Sequence, residues 1–214
     1  EYNELKEILT DEEYKSARAS TLTAFYTPPV VINAIYDTLK SMGVEQANIL
    51  EPSCGTGNFL GMLPQEMQSS KLYGVELDSI SGKIAKQLYQ KANIKVQGYE
   101  KADLPDSFFD IAIGNVPFGD FKVNDKRYNK NNLIHDYFFA KTLDKVRPGG
   151  VIAFITSKGT MDKASPEVRK YLAQRADLLG AIRLPDNTFT KNAGTKVTSD
   201  IIFLQKRENL TDIM

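Results

Sequence analysis

The stretch that decides the fold is ILEPSCGTGNF, at residues 49–59. A run of strand-forming residues ends near Pro52, and Gly55 and Gly57 lie where a buried strand must turn into a helix. Glycine adopts positive φ without strain and lets a ligand come close to the backbone. The stretch therefore predicts a strand–turn–helix unit, which either is only a tight turn or borders a ligand site.

Short apolar runs bounded by turn residues recur along the chain, as expected for strands buried on both faces. We predict strands at residues 48–51, 72–77, 94–98, 109–114, 151–156, 178–184 and 200–205. We predict helices at residues 4–18, 30–42, 59–67, 79–91, 133–146 and 166–175, with Thr27 as the N-cap of the second. Strands that alternate with helices indicate an α/β fold with a mostly parallel sheet, and the last strand should close it antiparallel.

Composition limits the classes of function. The net charge is +0, so contact with nucleic acid requires a local basic patch. The single cysteine fits a reducing cytoplasm, and no apolar run approaches the roughly 18 residues of a membrane span. With one histidine, His135, and one cysteine, Cys54, the usual zinc clusters cannot be built. We expect a cytoplasmic protein without metal or membrane segment, in which both residues are structural.

Two acidic residues follow neighbouring strands of the predicted sheet. Glu76 ends the second strand and Asp103 follows the third. At the carboxyl edge of the sheet, Glu76 could accept hydrogen bonds from ribose hydroxyls and Asp103 one from an adenine amino group. The GxGxxG dinucleotide fingerprint and the GxxxxGK[ST] phosphate loop are both missing from the sequence. These features favour an adenosine cofactor without pyrophosphate, of which S-adenosyl-L-methionine is the common one.

The fourth strand ends in NVPF, at residues 115–118. An exocyclic adenine nitrogen is a poor nucleophile because its lone pair is delocalised into the ring. The Asn115 side-chain oxygen and the Val116 carbonyl would draw its hydrogens out of plane and stabilise the positive charge that develops. Phe118 would stack on a base that has left the duplex. Taken without the glycine turn, the tetrad is better explained as a turn that ends a strand, with Phe118 as an aromatic residue that anchors a loop.

In their order, residues 24–28, 50–59, 73–78, 103 and 115–118 resemble the motifs of N6-adenine DNA methyltransferases. Residues 184–189 and 194–204 are similar to the modification subunits of type I restriction systems. The resemblance covers about residues 22 to 206. It implies the class I methyltransferase fold, a Rossmann-like, doubly wound, mostly parallel seven-stranded sheet with an antiparallel closing strand. It also implies S-adenosyl-L-methionine as cofactor and adenine N6 in DNA as the methylated group.

The resemblance assigns roles to numbered residues. The catalytic tetrad is Asn115, Val116, Pro117 and Phe118. The cofactor residues are Phe25, Tyr26, Thr27, Pro28, Glu51, Pro52, Ser53, Gly55, Gly57, Asn58, Phe59, Glu76, Leu77, Asp103 and Leu104. The family usually has proline at position 116, so Val116 removes a ring that restrains the backbone.

A basic cluster follows the tetrad. Lys122, Lys126, Arg127 and Lys130 alternate with aromatic residues and either contact DNA phosphates or form a solvated loop. We assign residues 1–22 to an N-terminal helical segment, 23–207 to a methyltransferase catalytic domain and 208–214 to a tail. No target-recognition domain is visible in the sequence. We therefore expect DNA as partner, together with a separate recognition domain or a larger parent protein.

Two other hypotheses about the function stay open. Families with closely similar tetrads methylate a glutamine side chain of a protein or an adenine in RNA. A non-catalytic module that retains the fold would also fit, with Val116 as a sign of decay. Cofactor binding together with methyl transfer to DNA distinguishes these readings.

Overall fold

The computed structural model of the chain describes residues 2–15, 26–117, 119, 122–128, 133–189 and 197–213. In this part of the chain seven strands form one sheet, in the order β3-β2-β1-β4-β5-β7-β6. The strands are β1 Asn48–Glu51, β2 Lys71–Glu76, β3 Asn93–Val96, β4 Phe109–Asn115, β5 Val146–Ser157, β6 Ala176–Arg183 and β7 Ser199–Lys206. Every predicted strand is therefore present, with ends shifted by a few residues.

The sheet is parallel from β3 through β5. Strand β7 lies between β5 and β6 and pairs antiparallel with both. The predicted α/β fold, a mostly parallel seven-stranded sheet with an antiparallel strand, is confirmed. The antiparallel strand is last in sequence but not at the edge, because β6 lies beyond it.

The helices are α1 Tyr2–Ile8, α2 Pro29–Ser41, α3 Asn58–Gly61, α4 Ser79–Leu88, α5 Ile134–Lys145, α6 Gly159–Asp162 and α7 Glu167–Arg175, and residues 11–15 are also helical. The helix predicted at 59–67 stops early because Pro64 disfavours helical backbone before it, and Gln65–Met67 forms a separate 3₁₀ turn. The prediction of Thr27 as N-cap is wrong, since Pro28 occupies that position and Pro29 opens α2. Within the described residues no helix is long and apolar enough to cross a membrane.

Apolar side chains cover both faces of the sheet at its interior strands, whereas most of the edge strand β6 is exposed. On one face α5 and α7 pack on the strands, and the Phe139 ring meets Phe154 edge-on with centroids 5.2 Å apart. On the other face α2 contributes Ile32 and Ile35, both fully buried. Burial on both faces explains why the central strands are almost continuously apolar. The polar residues that the strands carry are therefore concentrated at strand ends.

Phe154, in the interior strand β5, tests this core. It is fully buried, so Phe154→Ala should lower the free energy of unfolding by about 3–5 kcal/mol because it leaves a cavity. Leu88→Ala, at a side chain that is 63% exposed, should change it by less than about 0.5 kcal/mol. Urea unfolding followed by circular dichroism measures both. Similar losses in the two variants would contradict the assignment of the core.

Candidate active site

A cavity of about 860 Å³ lies at the carboxyl ends of β1, β2 and β4. Open α/β sheets bind ligands at this edge, and the volume is typical of a small-molecule site. The predicted site residues that line it are Tyr26, Thr27, Glu51, Pro52, Ser53, Gly55, Asn58, Phe59, Glu76, Leu77, Asn115, Val116, Pro117 and Lys122. The glycine turn and the tetrad therefore border a single cavity.

The glycine turn has the backbone that only glycine adopts readily. Gly55 and Gly57 have φ of 56° and 90°. At Gly57 a Cβ would also lie 2.3 Å from Cε2 of the Tyr89 ring, so this position excludes side chains on two grounds. The Gly55 N–H donates to Oε2 of Glu76 at 2.7 Å, which fixes the turn to the end of β2.

Glu51, at the end of β1, is a buried acid. It is 2% exposed, and among the described residues its Oε2 has no hydrogen-bond partner. Burial, reinforced by the charge of Glu76, raises the pKa of Glu51 well above its usual range. Burial also raises the pKa of Glu76, although backbone N–H groups of Asp78 and Gly55 donate to it. A cationic group beside this pair would relieve the cost of ionising it.

Asn115 is held from two sides. Its Nδ2 donates to Oγ1 of Thr27 at 3.3 Å, and the Ser53 hydroxyl donates to its backbone carbonyl at 3.0 Å. Because the amide is planar, the bond to Thr27 directs Oδ1 to the opposite side of the group. Thr27, which does not cap α2, therefore orients Asn115. Hydrogen bonds at Asn115 therefore join Thr27 and the stretch at residues 49–59, which contains Ser53, to the tetrad.

Val116 stands where the family usually has proline. Its side chain is 1% exposed and packs in the core, and its N–H donates to the Ile155 carbonyl of β5 at 3.1 Å. Proline has no N–H and could not form this bond. A hydrogen bond to the neighbouring strand thus restrains the backbone that a proline ring would otherwise restrain.

Two predicted cofactor residues, Asp103 and Leu104, do not line the cavity. The Asp103 side chain is exposed and Leu104 is buried in the core. The 3₁₀ turn Tyr99–Lys101 lines the cavity instead, and Glu100 provides its acid. The Glu100 carboxylate lies against Gly98, where a Cβ would displace it. Asp103 thus does not line the cavity and Glu100 does, and the role of either acid toward a cofactor stays a prediction. The sequence feature that marks Glu100 is GYE at residues 98–100, one residue after β3.

The predicted basic cluster divides between the cavity and the surface. Lys122 is exposed and lines the cavity, whereas Lys126 is exposed outside it. Arg127 pairs with Asp106 at 2.9 Å and with Asp144 at 2.8 Å, so its guanidinium already has two carboxylate partners. Pro28 and Gly57 also lie off the cavity wall, and the predicted residues Phe25, Phe118 and Lys130 lie outside the described part of the chain.

Several lining residues carry no chemical signal in the sequence. They come from the segment after the tetrad and from α5, and include Val123, Asn124, Ile134 and Phe138. Periodicity alone indicates core for Ile134 and Phe138, since an apolar helix residue that faces a ligand looks the same as one that faces the sheet. Their place at the cavity follows only from the packing of α5.

The fold is that of the class I methyltransferases, with a glycine turn after β1 and an Asn-x-Pro sequence that begins at the last residue of β4. The profile of the N-6 DNA Methylase family matches residues 7–214, and the chain belongs to this family. It is 30% identical over 210 residues to Defense against restriction protein B of Escherichia phage P1, a match that covers 95% of this chain and 9% of that protein. It is 24% identical over 182 residues to the rRNA N(6)-adenosine-methyltransferase metl-5 of Caenorhabditis elegans, covering 79% and 81% of the two.

A solved structure shares the fold. The crystal structure of the Type I restriction enzyme EcoKI M protein matches with a TM-score of 0.73 at 19% identity, over 87% of this chain and 45% of that chain. The expected class I fold is confirmed, and S-adenosyl-L-methionine is the cofactor of this class. The chain spans 9%, 48% and 24% of the lengths of three curated relatives that it matches.

Glu51→Gln should raise the free energy of unfolding at neutral pH. Because the pKa of Glu51 is raised on folding, its contribution to stability is fully present below the unfolded pKa of about 4.3 and is lost as pH rises through the folded pKa. Glutamine keeps the shape without the charge, so the advantage of the variant should be small at pH 4 and then grow. The slope for one proton is at most about 1.4 kcal/mol per pH unit.

Urea unfolding of the protein without added ligand, at several pH values between 4 and 7, measures this dependence. Glu66→Gln is the control, because the Glu66 side chain is 64% exposed. A Glu51→Gln advantage that stays constant across this pH range would show that the charge of Glu51 is not its cause.

Proposed function

We propose that this chain is an S-adenosyl-L-methionine-dependent methyltransferase that acts on the N6 amino group of adenine in DNA. The observation that carries the proposal is the hydrogen-bonded junction at Asn115, where Thr27 and Ser53 of the cofactor motifs meet the tetrad. A cofactor and an amino group held in one cavity are what methyl transfer requires. The N-6 DNA Methylase family match supports the chemistry and the substrate.

The acids of the cavity suit S-adenosyl-L-methionine. This cofactor carries an ammonium and a sulfonium, and when bound it supplies an activated methyl group. The buried carboxyl of Glu51 suits the cationic methionine end, since a nearby positive charge stabilises its ionised form. Glu76, at the end of β2, would accept from the ribose hydroxyls. Glu100 would accept from the adenine amino group, a role that the sequence had assigned to Asp103.

Asn115 and Val116 would activate the target amino group. The Asn115 side-chain oxygen and the Val116 carbonyl accept its two hydrogens, which localises the nitrogen lone pair and stabilises the positive charge that develops on transfer. The cavity wall holds the base so that the nitrogen lies in line with the methyl group. To enter the cavity the base must leave the duplex, and Phe118 would stack on it.

The surface near the cavity suits a nucleic acid. The exposed Lys122 and Lys126 are proposed to contact phosphates next to the flipped base. Residues 23–207 would be the catalytic domain, and a separate recognition domain or a larger parent protein would read the target sequence. RNA adenine is the second candidate substrate, because the match to the rRNA methyltransferase relative covers 81% of that protein.

Methyl transfer to defined polymers tests the proposal. The purified chain is incubated with methyl-labelled cofactor and either unmethylated duplex DNA or structured RNA, and the nucleosides are identified by mass spectrometry. N6-methyladenine in DNA is the expected product. Methylation of RNA alone would assign the second candidate, and cofactor binding without transfer to either polymer would favour the non-catalytic reading.

Asn115→Ala should lower kcat by about 100-fold or more, since it removes one of the two acceptors that stabilise developing charge. Its Kd for the cofactor should stay within about threefold, because the acceptor acts on the other substrate. Single-turnover kinetics and calorimetry measure the two quantities. Full activity in this variant would refute the proposed mechanism.

Glu100→Ala and Asp103→Ala form a matched pair. Glu100→Ala should raise the Kd for S-adenosyl-L-methionine about tenfold or more, because a hydrogen bond to a charged group contributes about 1.5–3 kcal/mol. Asp103→Ala removes an exposed carboxylate only three residues away and should leave the Kd within about twofold. Calorimetry measures the Kd of both variants. A larger rise in Kd for Asp103→Ala than for Glu100→Ala would identify Asp103 as the cofactor residue.

A further inference from the structure

One lysine of α5 lies between two walls of the cavity. Lys141 is 5% exposed, and its Nζ donates to the Tyr99 carbonyl at 2.7 Å and to the Glu100 carbonyl at 3.4 Å. The same Nζ lies 3.5 Å from Oδ2 of Asp125. Tyr99 and Glu100 belong to the turn proposed to hold the cofactor adenine. Asp125 directly follows Val123 and Asn124, which line the cavity beyond the tetrad.

Asp125 is the anchor of the segment at residues 122–128. Its Oδ2 accepts from the Tyr137 hydroxyl at 2.8 Å, and its Oδ1 accepts from the Arg127 N–H at 3.1 Å. Burial acts to raise the pKa of Asp125, but the hydrogen bonds from Tyr137 and Arg127 and the charge of Lys141 lower it overall. The carboxylate is therefore ionised at neutral pH and can hold the ammonium.

A buried ammonium ties its partners together. The Lys141 side chain is only 5% exposed, so moving the turn and the segment apart would take a partner from an ammonium that water cannot reach, which is unfavourable. Lys141 therefore links the turn at Tyr99–Lys101 to the segment at 122–128. The turn and the segment are about 20 residues apart in sequence, and a lysine of α5 connects them.

We propose that Lys141 is a positioning residue that couples cofactor binding at the Tyr99–Lys101 turn to the placement of residues 122–128 on the target side of the cavity. A cofactor that holds the turn would, through Lys141 and Asp125, also hold the segment that receives the target base. Cofactor binding would then prepare the site for its second substrate. The inference rests on the proposed function only in that the cavity binds S-adenosyl-L-methionine or its product.

Tryptic cleavage after Arg127 reports the placement of the segment. Arg127 does not line the cavity, so a bound ligand cannot cover it directly. Saturating S-adenosyl-L-homocysteine should slow this cleavage about fivefold or more in the wild-type chain, the lower end of usual coupling between sites. Lys141→Met replaces the lysine by an unbranched side chain of similar length without the ammonium. In this variant the ligand should still bind but should slow the cleavage by less than about twofold.

Lys145→Met is the matched control on the same helix. Lys145 is also buried, but it donates to the Leu104 carbonyl at 2.7 Å and to Asp106 at 2.6 Å, and neither residue lines the cavity. Because Asp106 also pairs with Arg127, only the ratio of cleavage rates with and without ligand is compared, and the absolute rate is not. This variant should keep the wild-type ratio of cleavage rates with and without ligand. Asp125→Asn tests the other end of the link without changing α5, and should lose the effect as Lys141→Met does.

Calorimetry on the same samples separates the possible failures. Ligand binding to the wild-type chain without protection of Arg127, or equal protection in Lys141→Met, would overturn the coupling and leave the proposed function intact. Absence of ligand binding to the wild-type chain would remove the proposed function and this inference together. Thermal unfolding of each variant confirms that cleavage is measured on folded protein.

Discussion

The parallel pairing of β1 with β4 is the constraint on which the site depends. Ile49 and Leu50 of one strand lie beside Ile111 and Ala112 of the other, although two strands and two helices separate them in sequence. The two strands therefore end together, which brings the glycine turn against the tetrad. The approach is close, since a Cβ on Gly114 would lie 3.3 Å from Cγ of Glu51. Without this pairing the glycine turn and the tetrad would not line the same cavity.

The sequence predicts the residues whose place is set by where a strand stops. Glu51, Glu76 and Asn115 end buried strands, and parallel strands bring their carboxyl ends to one edge of the sheet. The acid after β3 is different, because a 3₁₀ turn decides which side chain reaches the cavity. Periodicity contains no information on such a turn, so Asp103 was a reasonable prediction and Glu100 is the lining residue.

Other features could be recovered only from tertiary packing. The hydroxyl of Thr27 suits a helix cap by local rules, but its partner is the side chain of Asn115, which is distant in sequence. The same holds for Phe138, whose apolar helix position indicates core until α5 is docked on the sheet. Local propensity is a weak guide where a long-range partner competes with a neighbouring one.

Val116 illustrates how a family position tolerates change. Proline restricts the backbone by its ring, whereas valine leaves an N–H that can bond elsewhere. That N–H meets the Ile155 carbonyl, so the tetrad is tied to β5. The hydrogen bond to β5 thus restrains the backbone at position 116, where the family usually has proline.

The place of β7 in the sheet bears on how the domain is made. Strand β5 pairs with β4 on one side and with β7 on the other, so its second edge lacks a partner until residues 199–206 exist. Domains tend to fold as units during synthesis, and an apolar strand with an open edge is a template for aggregation. A polypeptide that ends between β6 and β7 would therefore expose the unpaired edge of β5, and we expect it to aggregate rather than form a smaller stable domain.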